Sequence, residues 1–140
     1  MCCMNVKRKV IELVNKYQTN DPFEIAEHLG IIVLHENLGN ILGYYSKTYR
    51  FKVIHINENS PRNLQLFTCS HELGHAILHP NTNTSFLKSN TYFSADKIEY
   101  EANKFAIELL FNECINPITI KEAIEEYGVP EQLLRKKFYI

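Results

Sequence analysis

The sequence lacks the features that mark membrane proteins and nucleic-acid-binding proteins. It has no run of about 18 apolar residues, which a membrane-spanning helix requires. Polar residues interrupt the apolar positions that follow Lys9, so the N-terminus offers no signal-peptide core. The formal net charge is −1 and no long run of like charges occurs, which disfavours binding to a polyanion. We therefore expect a chain that contacts neither membranes nor nucleic acids directly.

The sequence also lacks a cysteine framework. Its four cysteines, at positions 2, 3, 69 and 114, form no C-x-x-C pair, which argues against a disulfide scaffold and against cysteine-ligated zinc. Free thiols are typical of a reducing compartment, so we expect a cytoplasmic protein. Glycine and proline number only five each, and no linker or internal repeat divides the chain. Residues 1–140 are therefore interpreted as a single domain, with 45% hydrophobic residues from which to build a core.

The apolar pattern predicts helices, then strands, then helices. Apolar residues recur at helical spacing over residues 5–17, and Asp21-Pro22 can begin a second, short helix that ends at Gly30. Three runs rich in β-branched and aromatic residues follow, and they are predicted as strands: Ile31–Glu36, Ile41–Ser46 and Phe51–Asn57. Because the segments between them are short, we expect a three-stranded antiparallel meander. The fold class is then α+β.

The second half of the chain is predicted to be helical and carries the candidate chemistry. One helix is predicted over residues 60–79 and ends before Pro80, because the residue preceding a proline is disfavoured in helical backbone. Residues 80–94 are interpreted as a loop, and a further helix is predicted over residues 95–112. A helical hairpin at residues 117–140 ends the chain, and its glutamates disfavour contact with DNA phosphates. We interpret it as a packing or substrate-contacting element.

The first of these helices contains His-Glu-Leu-Gly-His at residues 71–75. His71 and His75 lie on one helical face, about 5–6 Å apart at Cβ, from which two imidazoles can bind one zinc ion. Glu72 lies about 100° round the helix, where it can reach a water beside the ion and act as general base. Chance also produces this pattern, but here it lies inside a predicted helix. Gly74 costs a helix about 1 kcal/mol relative to alanine, which favours a close approach of backbone or substrate there.

A catalytic zinc ion needs a third protein ligand. His79 is excluded because in a continuous helix it would lie about 12 Å along the axis from His71, too far for a shared ion. In the following helix Glu99 lies nearer the apolar stripe than Glu101, so Glu99 is the predicted ligand, although it also fits a capping box. Asn103, one turn after Glu99, can accept the free ring N–H of a ligand histidine, or it is a polar residue at the rim of the helix.

Two segments together resemble the ImmA/IrrE family of metallopeptidases: Phe67–His79, which contains the His-Glu-Leu-Gly-His motif, and Glu99–Leu110. The resemblance implies a zincin-like fold of the gluzincin type with the motif on its active-site helix, and one zinc ion (Zn2+) per chain. In this family the first glutamate of the second segment is the third metal ligand, which corresponds to Glu99. Asn103 stands where gluzincins often have aspartate. Phe111-Asn112 replaces the usual Met-Pro, a difference that we expect to alter the helix end and not the metal site.

The resemblance also implies a function. Short members of the family are typically encoded on phages and integrative elements, and they act on helix-turn-helix repressors, whose cleavage derepresses the element. We therefore expect a zinc metallo-endopeptidase that cleaves such a repressor, with His71, His75 and Glu99 as metal ligands and Glu72 as catalytic base. The alternative is a non-proteolytic anti-repressor that binds and sequesters its partner.

Overall fold

The computed structural model describes residues 3–82, 87–88 and 97–111, of which residues 3–5 and 87–88 are described by their backbone alone. The elements follow in the order α1 (Cys3–Tyr17), α2 (Pro22–His28), β1 (Ile32–Glu36), β2 (Ile41–Thr48), β3 (Phe51–Asn57), α3 (Arg62–Leu78), β4 (Leu87–Lys88) and α4 (Lys97–Leu110). The α+β class is confirmed. The predicted hairpin at 117–140 lies outside the described residues.

The sheet is mixed, so the prediction of a purely antiparallel meander is wrong. The strand order is β1-β3-β2-β4, in which β2 and β3 form an antiparallel hairpin and β1 pairs with β3 in parallel. The segment after β1 crosses the end of β3 instead of turning back as a hairpin. Asn57 at that end holds the crossing chain, since its side-chain amide donates to the carbonyls of Gly39 at 3.0 Å and Ile41 at 2.9 Å. Both β3 and β2 are therefore interior strands of the described sheet.

A fourth strand lies within the segment that was predicted to be a loop. Leu87 and Lys88 form β4, which pairs antiparallel with β2 at Gly43 and Ile41. A strand of two residues is too short to produce a recognisable alternation of apolar and polar positions. For that reason the sequence pattern did not reveal it.

One face of the sheet packs against α3 to form the core. Alternation along β3 directs Ile54 and Ile56 into this core, where both are fully buried. The predicted apolar stripe of α1 packs on the same cluster, and Asp21 begins α2 by accepting a hydrogen bond from the Phe23 N–H at 2.9 Å. Helix α3 is buried over ten consecutive residues, Phe67–Ala76, and therefore runs through the middle of the molecule.

Two glycines allow α3 to be packed closely on both sides. A Cβ atom at Gly43 of β2 would lie 2.7 Å from Thr68 Cγ2 and 2.5 Å from the His55 carbonyl oxygen. A Cβ atom at Gly74 would lie 3.0 Å from Phe105 Cβ, so α4 approaches α3 as closely as a glycine permits. The expectation of a close approach at Gly74 is explained by this helix contact.

The end of α4 is tied to the loop between α1 and α2. The Asn20 side-chain amide donates to the carbonyls of Leu109 at 3.2 Å and Leu110 at 3.3 Å, which are among the terminal carbonyls that a helix leaves without partners. This tie and the contact at Gly74 together position α4 against α3. Within the part of the chain that the structure describes, no helix combines the length and apolarity that a bilayer crossing requires.

Candidate metal centre

Helix α3 carries polar side chains at positions that are closed to bulk solvent. Thr68, Ser70, His71, Glu72 and His75 are all at most 1% exposed. Burying a polar group without a partner costs on the order of 1–3 kcal/mol, and more for a charged group. The Thr68 hydroxyl is satisfied by the Leu64 carbonyl at 2.8 Å, which is ordinary helix chemistry. The two histidines and the glutamate need another explanation.

His71 and His75 direct ring nitrogens toward one carboxylate of α4. Their ring centroids are 4.8 Å apart and the ring planes are nearly perpendicular, at 80°. Nε2 of His71 lies 3.0 Å from Glu99 Oε1, and Nε2 of His75 lies 3.1 Å from Glu99 Oε2. The structure thus brings together the three residues that were predicted to bind zinc. Their role as metal ligands stays a prediction.

The contact between His75 and Glu99 is close without being a hydrogen bond. Although the two atoms are 3.1 Å apart, His75 Nε2 has no hydrogen-bond partner among the described residues. The ring nitrogen and the carboxylate oxygen are thus close without the alignment that a hydrogen bond requires. A buried imidazole nitrogen without a partner, next to a second imidazole and a carboxylate, has the donor chemistry of a zinc site.

Glu72 is fully buried, and neither of its carboxylate oxygens has a hydrogen-bond partner among the described residues. One carboxylate oxygen and one ring nitrogen from each of His71 and His75 all lie within 4.8 Å of one another. Burial raises the pKa of Glu72 to about 8, against the opposing attraction of His71. A cation held beside this carboxylate would stabilise its charged form. Glu72 thus also fits a centre that contains a metal ion.

The remaining charges of the centre are arranged around Glu99. Burial favours its neutral form, but the contacts with His71 and His75 outweigh burial and hold the pKa of Glu99 well below its usual range. Burial also favours neutral histidines. It lowers the pKa of His75. At His71 burial is the largest single influence, but the hydrogen bonds to Glu99 and Asn103 and the charges of Glu72 and Glu99 together outweigh it and raise the pKa of that ring. A charged carboxylate and a neutral imidazole are the forms that bind a metal ion.

Asn103 lies behind His71. Its side-chain oxygen is 2.8 Å from His71 Nδ1, and both groups are buried. Because an amide oxygen only accepts, the ring donates from Nδ1, so the neutral form of His71 has its lone pair on Nε2, the nitrogen that faces Glu99. Asn103 therefore occupies the place that its predicted role requires. The role itself stays a prediction.

His79 and Glu101 were excluded as metal ligands, and the structure places them elsewhere around the same centre. His79 Nδ1 lies 3.1 Å from His75 Nδ1, on the far side of that ring from Glu99. His79 Nε2 in turn lies 2.8 Å from Glu101 Oε1. This arrangement was not predicted from the sequence. Pro80 could have indicated it, because the residue before a proline is disfavoured in helical backbone and the side chain of His79 then need not follow the helix.

The chain is similar to proteins of a known peptidase family. The model of the IrrE N-terminal-like domain, peptidase family M78, matches residues 26–139. An uncharacterized immunity region protein 2 of Bacillus phage phi105 is 42% identical over 139 residues, covering 94% of this chain and 88% of the relative. The metallopeptidase ImmA of Bacillus subtilis strain 168 is 34% identical over 110 residues, covering 77% of this chain and 64% of ImmA. No solved structure matches significantly. Because the family model matches most of its length, the chain belongs to the ImmA/IrrE family of metallopeptidases, M78.

Proposed function

We propose that this chain is a zinc-dependent endopeptidase that cleaves a helix-turn-helix repressor and thereby derepresses a phage or mobile element. The observation that carries the hydrolytic part is the buried carboxylate of Glu72, which lacks a partner among the described residues and lies beside two imidazole nitrogens. The repressor is supported by the resemblance and by the relative from phage phi105, which is named for an immunity region. The proposed substrate is a protein, and no direct contact with nucleic acid or membrane is required.

In this proposal His71, His75 and Glu99 hold one zinc ion per chain. Two imidazoles and a carboxylate are the ligand set of many catalytic zinc sites, and three protein ligands leave one position open. When bound, the ion supplies Lewis-acid chemistry, which makes a neighbouring water more acidic and polarises the scissile carbonyl. Helices α3 and α4 provide the ligands from a closely packed pair, so the site is positioned before the ion arrives.

Glu72 provides the proton transfers in this mechanism. Its ionised carboxylate accepts a proton as water attacks the carbonyl carbon, and it passes that proton to the amine as the C–N bond breaks. A pKa near 8 would leave Glu72 largely neutral at pH 7, but the field of a nearby dication favours ionisation and lowers that pKa. The surrounding core keeps bulk water away from the carboxylate, since Glu72 is 0% exposed.

The test separates hydrolysis from sequestration of the repressor. The chain is co-expressed with the repressor of its own element, and repressor length and reporter expression are measured together. Glu72→Gln keeps the volume of the side chain and removes the base, a loss that typically costs about 10²–10⁴-fold in rate. Glu12→Gln, on the exposed face of α1, is the matched control.

We expect a shortened repressor and an active reporter with the unaltered chain and with Glu12→Gln. With Glu72→Gln we expect an intact repressor and a silent reporter. A reporter that is activated equally by Glu72→Gln, with the repressor intact, would show that the chain acts by binding alone.

A further inference from the structure

A line of three side chains extends from His75 away from the predicted metal position. His75 Nδ1 lies 3.1 Å from His79 Nδ1, and His79 Nε2 lies 2.8 Å from Glu101 Oε1. The side chains of His79 and Glu101 are each 10% exposed, so water competes little for these contacts. A buried carboxylate that contacts a histidine needs a reason to be there, because burying it has a free-energy cost.

The backbone holds His79 in this place. Pro80 disfavours the helical conformation at residue 79, which has φ −132° and ψ 55° and caps α3. The His79 N–H still donates to the His75 carbonyl at 2.7 Å, so the ring of His79 stays next to that of His75. The hydroxyl of Tyr45 donates to the Pro80 carbonyl at 2.7 Å and fixes the chain beyond the cap. His79 is thus anchored independently of any ion.

Only one assignment of donors and acceptors among His75, His79 and Glu101 is compatible with metal binding by His75. Between the two Nδ1 atoms only one proton fits, because two N–H groups that face each other repel. Glu101, when ionised, only accepts, so His79 carries its proton on Nε2 and keeps a lone pair on Nδ1. That lone pair accepts from His75 Nδ1–H. His75 then keeps its lone pair on Nε2, the nitrogen that faces Glu99.

We propose that His79 and Glu101 are positioning residues that fix the tautomer and the ring orientation of His75, the role that is predicted for Asn103 at His71. This inference rests on the metal site of the proposed function and is independent of the identity of the substrate. Glu101 determines which ring nitrogen of His79 carries the proton, and His79 in turn determines which ring nitrogen of His75 carries it. Partners that orient ligand histidines in this way typically contribute about 10–100-fold in metal affinity or activity.

Zinc affinity tests the proposal without any substrate. It is measured on the purified full chain by competition with a chromophoric chelator, and the unfolding temperature of each metal-free variant verifies folding. His79→Leu and His79→Asn form the informative pair, because their side chains have similar shapes but only asparagine offers an oxygen near the place of Nδ1. We expect His79→Leu to weaken zinc binding about 10–100-fold and His79→Asn to restore most of that loss.

Glu101 is tested in the same assay. Glu101→Leu removes the acceptor and should weaken zinc binding about 10-fold or more, whereas Glu101→Gln keeps an acceptor oxygen and should lose less. Glu108→Gln is the matched control, since Glu108 also lies on α4, is 5% exposed and pairs with Lys104 at 3.0 Å. Equal zinc affinities of His79→Leu and His79→Asn, or equal losses of zinc affinity in Glu101→Gln and Glu101→Leu, would overturn the proposal. They would show that the two residues contribute only by packing.

A tautomer measurement on the unaltered chain needs no variant. Long-range 1H–15N correlation spectra of the 15N-labelled, zinc-bound protein distinguish the protonated nitrogen of each imidazole. We expect the proton of His79 on Nε2 and not on Nδ1, and the proton of His75 on Nδ1. A His79 ring protonated on Nδ1 contradicts the inference. If zinc binds as described but no repressor is cleaved, the proposed hydrolysis fails while this inference stands.

Discussion

The Glu72 carboxylate should give the metal-free protein a pH dependence of stability that zinc removes. Burial raises the pKa of Glu72 from 4.5 to about 8. Between those values the folded chain keeps the proton and the unfolded chain loses it, so stability is fully present below pH 4.5 and declines as pH rises toward 8. The contribution of this group declines by at most about 1.4 kcal/mol per pH unit, or roughly 4 kcal/mol from pH 5 to pH 8.

The comparison with Glu72→Gln isolates this group. The free energy of unfolding is measured by urea titration of both chains at pH 5, 6, 7 and 8, after chelation of metal. Glutamine has no proton to lose, so the stability of the unaltered chain should fall relative to Glu72→Gln as pH rises. Saturating zinc should flatten the difference, because the ion holds Glu72 charged. Parallel curves for the two metal-free chains would refute the assignment of a raised pKa to Glu72.

Four further substitutions test how α3 and α4 build the centre. Gly74→Ala places a methyl group 3.0 Å from Phe105 Cβ; it should destabilise the fold by about 1–3 kcal/mol, measured by thermal unfolding, and weaken zinc binding by displacing α4. Glu99→Ala should lose more zinc affinity than Glu101→Ala in the chelator assay, and the reverse order would reassign the third ligand. Asn103→Leu should weaken zinc binding about 10–100-fold with little change in unfolding temperature, and unchanged binding would remove its orienting role.

The elements that carry local signals were predictable from the sequence. The Asp21-Pro22 start of α2 and the apolar spacing of α1 reflect interactions within a few residues, and both are present in the structure. The approach of Glu99 to His71 and His75 agrees with helical geometry. Glu101, which the same geometry places farther from the apolar stripe, is nevertheless buried and contacts His79.

The arrangements that depend on contacts between distant segments were not predictable in this way. A short connection after β1 fits a hairpin as well as a crossing. In the structure the crossing chain is held by Asn57, which lies at the end of β3, well beyond that connection in the sequence. His79 shows the same limit. Treating residues 60–79 as one continuous helix excluded it as a metal ligand shared with His71, and that exclusion stays a prediction. The position of the His79 ring did not follow from a continuous helix, because the backbone of His79, the residue before Pro80, is not helical.

The most direct test of the central claim is the mass of the repressor after incubation with the purified, zinc-bound chain. Endopeptidase activity predicts two fragments whose masses add up to the intact repressor plus one water. Glu72→Gln, and the unaltered chain after chelation of zinc, should leave the repressor intact. An intact repressor that nevertheless loses its operator binding in the presence of the unaltered chain, or cleavage that persists with Glu72→Gln, would contradict the proposal that Glu72 drives hydrolysis at a zinc centre.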